Sequence, residues 1–165
     1  MLSALGTRRA RVLAAGLLVA LLTTGCFGGG GSGVRTVPNP GGADRRMLDV
    51  VNWERQQRGL QPVYWDAQLG GLAADWSEHM ARTGQLTHRN LGAVLASPSY
   101  PAFRGIAENI YMNPSCNVTA DQVVAAWMGS SGHRNNLLNG SYNRIGSAFV
   151  CSGGRIWVTA NFAQV

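Results

Sequence analysis

Lysine is absent from this 165-residue chain: its fourteen basic residues are all arginine, and charged residues of both signs make up only 13% of it. Without a basic block, or a basic stripe interleaved with aromatics, it lacks the electrostatic footprint of a nucleic-acid-binding protein. Long apolar runs are missing as well. The leading one, from Val12 to Leu22, falls well short of the ~20 residues that a permanent membrane-spanning helix requires. Cysteine is scarce, with three residues, which excludes a dense disulfide scaffold. What the chain does have is 45% hydrophobic residues and five tryptophans. That is enough for one globular core beside a leader, and it excludes a disordered chain.

The leader is legible in the first 25 residues. Arg8-Arg9-Ala10-Arg11 forms a positive n-region ahead of the apolar run, and Thr23-Thr24-Gly25 supplies small residues, the plan of a secretory signal peptide. Cys26 follows, and the arrangement resembles a bacterial lipobox, although Thr23 stands where leucine is usual and Leu22 lies one place early. The resemblance implies diacylglyceryl attachment at Cys26 and a membrane partner through that lipid; a plain signal-peptidase cut is the alternative. Residues 26–42, rich in Gly, Ser and Pro, read as a flexible tether. Removing the leader takes three arginines with it and leaves eleven against eight acids, so the sequence pI of about 10.0 overstates the basicity of the exported protein. Lipidation of Cys26 would leave Cys116 and Cys151 as an even pair in an oxidising compartment, where a bridge is expected. Two unpaired thiols are the alternative.

In the remainder, Met47, Leu48, Val51 and Arg55 recur on one helical face, with Gly59 as a stop. Residues 62–65 are extended. Asp66 is placed to cap a second helix ending near Thr83, before Gly84. The stretch from Leu86 to Met112, broken by Pro98 and Pro101, reads as loops with a short helix. Asp121 is expected to cap a helix through Trp127. Two strands, 144–150 and 155–162, are joined by a Gly153-Gly154 turn. The order implies an α+β fold with helices on an antiparallel sheet. Trp53, Trp65, Trp76 and Trp127 fall on expected core faces, so packing is favoured over a carbohydrate platform.

Three residues suited to chemistry sit in loops or at element ends: His88, Glu108 and His133. Two neutral imidazoles and a carboxylate can hold Zn²⁺ with a fourth position open. Each also has a purely structural alternative, as a turn histidine, a helix-capping glutamate or a packed histidine. Spacing does not show that they meet.

Asn52-x-x-Arg55-x-x-x-Gly59-Leu60, the His88 segment, Ala107-Glu108-Asn109-Ile110 and Trp127-Met128-x-Ser130-x-Gly132-His133-Arg134-x-Asn136-Leu137-Leu138 resemble successive motifs of the CAP superfamily. Tyr142 to Gly146 and Trp157 to Phe162 extend the likeness over residues 43–165. The resemblance implies an α-β-α sandwich whose central cleft carries two histidines and two acidic residues, a tetrad that binds divalent metal in some members. His88, Glu108 and His133 match three of those positions. The second acid is missing, because Trp127 to Ser131 contains no carboxylate; Ser130 or Ser131 could hydrogen-bond a metal-bound water instead. The expected protein is an extracytoplasmic, lipid-anchored binding module taking a lipid, cell-wall or protein ligand. The alternative is a metal-dependent hydrolase with Glu108 as ligand or general base.

Overall fold

The computed structural model describes residues 42–165. The signal peptide, Cys26 and the tether up to residue 41 lie outside the described residues. The first helix, α1 (Gly42–Gln56), starts at the last residue assigned to the tether. It is followed by β1 (Tyr64–Trp65), α2 (Ala67–Thr83), α3 (Leu91–Leu95), β2 (Gly105–Asn113), α4 (Ala120–Gly129), α5 (Ser131–Leu137), β3 (Arg144–Ser152) and β4 (Arg155–Gln164). The strands form one sheet in the order β1-β3-β4-β2. Its long pairs are antiparallel, and the two-residue β1 adds a parallel edge.

Helices cover both faces of this sheet. Met47 and Val51 of α1 pack with Val123 and Trp127 of α4 on Ile145, Val158, Ala160 and Phe162. On the opposite face, Leu69 and Leu72 of α2 meet Val94 and Ala163, while Met80 packs on Ile110 and Trp157. The result is an α-β-α sandwich. Its closest approach is at Gly146, where a Cβ would stand 2.1 Å from the Gly70 backbone nitrogen; only glycine lets α2 sit this near the sheet.

Local chemistry explains most boundaries. Asp66 accepts hydrogen bonds from the backbone N–H groups of Gln68 and Leu69, and Gly84 closes α2 in the left-handed region at φ 69°. Gly153 and Gly154, at φ 59° and 76°, make the tight β3–β4 turn, since a type I′ hairpin needs positive φ at both central positions. Arg55 is fully buried: its Nε donates to the carbonyl of Gln61, Nη1 to those of Leu137 and Asn139, and Nη2 to that of Tyr142. One side chain thus ties the end of α1 to the chain leaving α5. Desolvation lowers its pKa from the ordinary guanidinium value.

Three sequence expectations are corrected. Residues 105–113 form a full strand rather than loop. Its middle residues Ala107 to Ile110 are all buried, so a sheet covered on both faces erases the alternation that marks a strand. The cap of α4 is Thr119, not Asp121: Thr119 and Gln122 form a reciprocal capping box. Asp121 instead pairs with Arg46 of α1, with Nε to Oδ2 at 2.8 Å. That hydrogen bond holds the Asp121 carboxyl below the usual range. Trp53 is not a core residue; it is 56% exposed on α1. Trp127 is buried as expected, and Cys116 is bridged to Cys151.

Candidate functional site

The chain leaving α2 carries His88, and α2 itself holds that segment in place. Trp76 Nε1 donates to the Thr87 carbonyl at 2.8 Å. The Trp76 ring stacks on His79 at 4.4 Å and carries the Arg89 guanidinium over it at 4.9 Å. Arg89 also pairs with Asp75. The residue between these anchors, His88, is therefore fixed in position although its side chain is 57% exposed.

Glu108 sits in the middle of β2, its side chain 1% exposed. Its Oε1 lies 2.9 Å from His88 Nδ1 and accepts the Arg89 backbone N–H at 3.0 Å. The buried strand thereby grips two consecutive residues of the loop through one oxygen. The other oxygen, Oε2, is buried without a protein partner.

His133 arrives from the opposite side, on α5. This short helix is sewn to β2 by Asn109, whose Nδ2 donates to the His133 carbonyl at 3.0 Å. Asn136 Nδ2 donates to Asn109 Oδ1 and to the Glu108 carbonyl. Trp127 Nε1, donating to the Ile110 carbonyl, anchors the preceding helix to the same strand. The His133 ring ends 6.3 Å from the Trp127 ring and 6.5 Å from that of His88, centroid to centroid. Burial, and next the nearby His88, lower its pKa below the ordinary imidazole value, which favours the neutral ring.

The structure thus brings His88 and Glu108 into direct contact and sets His133 close by. Among the described residues no group of three His, Cys, Asp or Glu side chains is arranged to hold a metal ion. Ser130 begins α5 without a side-chain capping bond, and Ser131 is exposed. Beside Arg89 opens a shallow groove of about 480 Å³ with Trp76, Asn90, Val94 and Tyr100 along it. A larger groove of about 530 Å³ lies between α1 and α4 beside Trp53, and none of the three site residues lines either groove. Trp76, read from sequence as core packing, emerges as a support of the site. A mid-helix tryptophan carries no sequence signal for that role.

This arrangement can be set against known proteins. Residues 48–162 match the family described as CAP, the cysteine-rich secretory protein family. Protein YkwD of Bacillus subtilis is 31% identical over 125 residues, which span 69% of this chain and 44% of YkwD. The chain therefore spans less than half the length of that relative. An extracellular SCP-domain protein from Bacillus anthracis superposes with a TM-score of 0.63 at 27% identity, over 75% of this chain and 41% of that one. A crystal structure of NaASP2 with Zn²⁺ has the same fold at 13% identity, with a TM-score of 0.58 over 74% of this chain and 82% of that one. On the extent of the family match and the shared α-β-α sandwich, this chain belongs to the cysteine-rich secretory protein (CAP) family.

Proposed function

We propose that the protein is exported, anchored to the cell envelope through lipidated Cys26, and acts as a binding module at the cleft where His88, Glu108 and His133 meet. The observation that carries this reading is the exposed imidazole of His88 held at Nδ1 by a buried carboxylate. An ionised Glu108 only accepts, taking the Arg89 N–H at Oε1, and its contact with His88 is then satisfied by the tautomer in which Nδ1–H donates. His88 Nε2 then keeps its lone pair. With His133 held toward neutrality, the cleft offers imidazole nitrogens, and Arg89, next to His88 in the chain, lines a groove with Trp76 and Val94. Such a mixture of apolar wall and few fixed polar groups is typical of ligand sites.

A zinc ion here would be held by His88 and His133 alone among the described His, Cys, Asp and Glu residues. Glu108 would then stand behind His88 as its orienting carboxylate, in the carboxylate–histidine–metal pattern. With the buried Glu108 carboxylate committed at Oε1, the two imidazoles are one short of the three protein ligands usual at a catalytic zinc, so water would have to complete the coordination. When bound, zinc would supply a Lewis acid and an activated water. A metal-dependent hydrolase is the second reading, favoured by the two imidazoles and the lowered His133 pKa. Either way, the ligand would be a cell-wall, lipid or protein group.

Two measurements separate the readings. Metal-stripped protein is titrated with Zn²⁺ by calorimetry, with His88→Ala/His133→Ala as control, and the same proteins are tested for sedimentation with purified bacterial cell walls and lipid vesicles. Saturable sedimentation without turnover supports the binding module. Zinc binding accompanied by hydrolysis, both lost in the double variant, would replace it with the enzyme.

A further inference from the structure

Asn161 lies in β4 directly opposite Glu108 of β2 and, on its other side, opposite Gly146 of β3. Opposed residues in antiparallel strands point to the same face, here the one covered by α2. The Gly70 backbone meets that face at Gly146, and Ser77 of α2 donates to Thr159 Oγ1, two residues from Asn161. Asn161 is completely buried. Five side-chain polar atoms among the described residues are buried without a partner, and three of them belong to this one cross-strand pair: Asn161 Oδ1, Asn161 Nδ2 and Glu108 Oε2. Of the neighbouring groups, the Thr159 hydroxyl has Ser77 and Glu108 Oε1 has His88 Nδ1 and the Arg89 N–H, while Arg89 Nε is itself without a partner.

Buried amide and carboxylate groups almost always find partners. A fully enclosed asparagine beside a buried glutamate therefore calls for a common one. The Cβ atoms of an opposed antiparallel pair are about 4.5–5.5 Å apart, which suits a bridge by one small molecule, and an internal water characteristically takes about three hydrogen bonds from such groups.

We propose that Asn161 is a further positioning residue of the site, acting on Glu108 through one buried water. The water accepts a hydrogen bond from Asn161 Nδ2 and donates one to Glu108 Oε2. The carboxylate is then restrained at both oxygens, by His88 and Arg89 at Oε1 and by the asparagine at Oε2. Its plane can no longer turn, and the His88 ring inherits that restraint through Nδ1. This deepens the reading of His88 and Glu108 as a functional pair and rests on it for its significance. Its test uses neither ligand nor metal, so the two can fail separately.

The experiment is nuclear magnetic resonance on the metal-free full chain at constant pH. In the unaltered protein, the Asn161 side-chain amide should show a cross-peak to a long-lived water, and long-range ¹⁵N spectra should show His88 in the single Nδ1–H tautomer. Asn161→Leu, close in volume but without polar atoms, should lose the water signal and shift His88 to a mixture of tautomers. Asn161→Ser, which keeps a hydroxyl, should restore much of the single form. In a Glu108→Gln background, Asn161→Leu should change the His88 spectrum no further. A missing water cross-peak in the unaltered protein would overturn the proposal. So would an unchanged His88 tautomer in either folded Asn161 variant that has lost the water. Because the first observation needs no variant, a failure of Asn161→Leu to fold leaves the proposal open to refutation.

Discussion

The Nδ1 atom of His88 lies 2.9 Å from Oε1 of Glu108, joining a side chain that is 57% exposed to one that is 1% exposed. The covered partner sets the ring, and the open one meets whatever enters the cleft. If this division of labour holds, Glu108→Gln should fold normally but bind Zn²⁺ roughly 10- to 100-fold more weakly, as removal of an orienting partner commonly does. Calorimetry on the metal-stripped variant checks this, and an unaltered affinity would remove Glu108 from the site's function.

His133 gives a pH dependence with a definite sign. Its folded pKa is lowered from 6.5 by burial and by His88, so in the window between the two values the unfolded chain binds more protons. The stabilisation linked to this group is fully present above pH 6.5 and is lost as pH falls through the folded pKa. Denaturant melts of the unaltered protein and His133→Gln over that window should therefore differ in slope, with the variant the flatter. Parallel curves would contradict the assignment.

The Cys116–Cys151 bridge spans a sequence separation of 35, tying the segment after β2 to the end of β3. Replacing both cysteines with alanine should cost about 3 to 4 kcal/mol on the loop-entropy account, read as a lower urea midpoint with a steeper slope, because the unfolded chain becomes more expanded.

Arg55→Met would leave four carbonyl acceptors, those of Gln61, Leu137, Asn139 and Tyr142, without their donor. Each buried acceptor left unpaired costs about 1–3 kcal/mol, so a loss of roughly 3 kcal/mol or more is expected. Loss below about 1 kcal/mol would mean that water replaces the guanidinium.

The tether makes a prediction in the cell. Cys26→Ser should move the protein from the membrane fraction to the soluble one, which fractionation and blotting would detect; an unchanged membrane fraction would exclude lipid attachment at that residue.

Much of the fold is legible in local chemistry. The Asp66 cap, the Gly84 stop, the paired glycines of the β3–β4 turn and the apolar face of α1 depend on neighbours a few residues apart, and each appears where the sequence places it. The even cysteine pair after Cys26 likewise foretells the bridge, because compartment and count constrain it. The motifs around Glu108 and His133 point to the family. Their joint geometry is another matter. Strand β2 is hidden from periodicity because it is buried on both faces and carries Glu108 and Asn109 at its centre, residues that an exposed strand would disfavour. Trp53 lies off the Met47–Val51–Arg55 face of α1 that the core covers, and it is exposed although tryptophan is usually buried.

Sequence alone determined the helix and turn signals and the residue types available for a site, since these follow from short-range composition and backbone preference. Tertiary structure alone decided that His88 would rest on Glu108, that His133 would be delivered by the Asn109–Asn136 lattice, and that Asn161 would face Glu108 in a closed interior. Those relationships join residues 20 to more than 50 positions apart in the chain. They are fixed by strand register, by the packing of α2 against β3 and β4, and by that of α5 against β2, for which the sequence carries no local code.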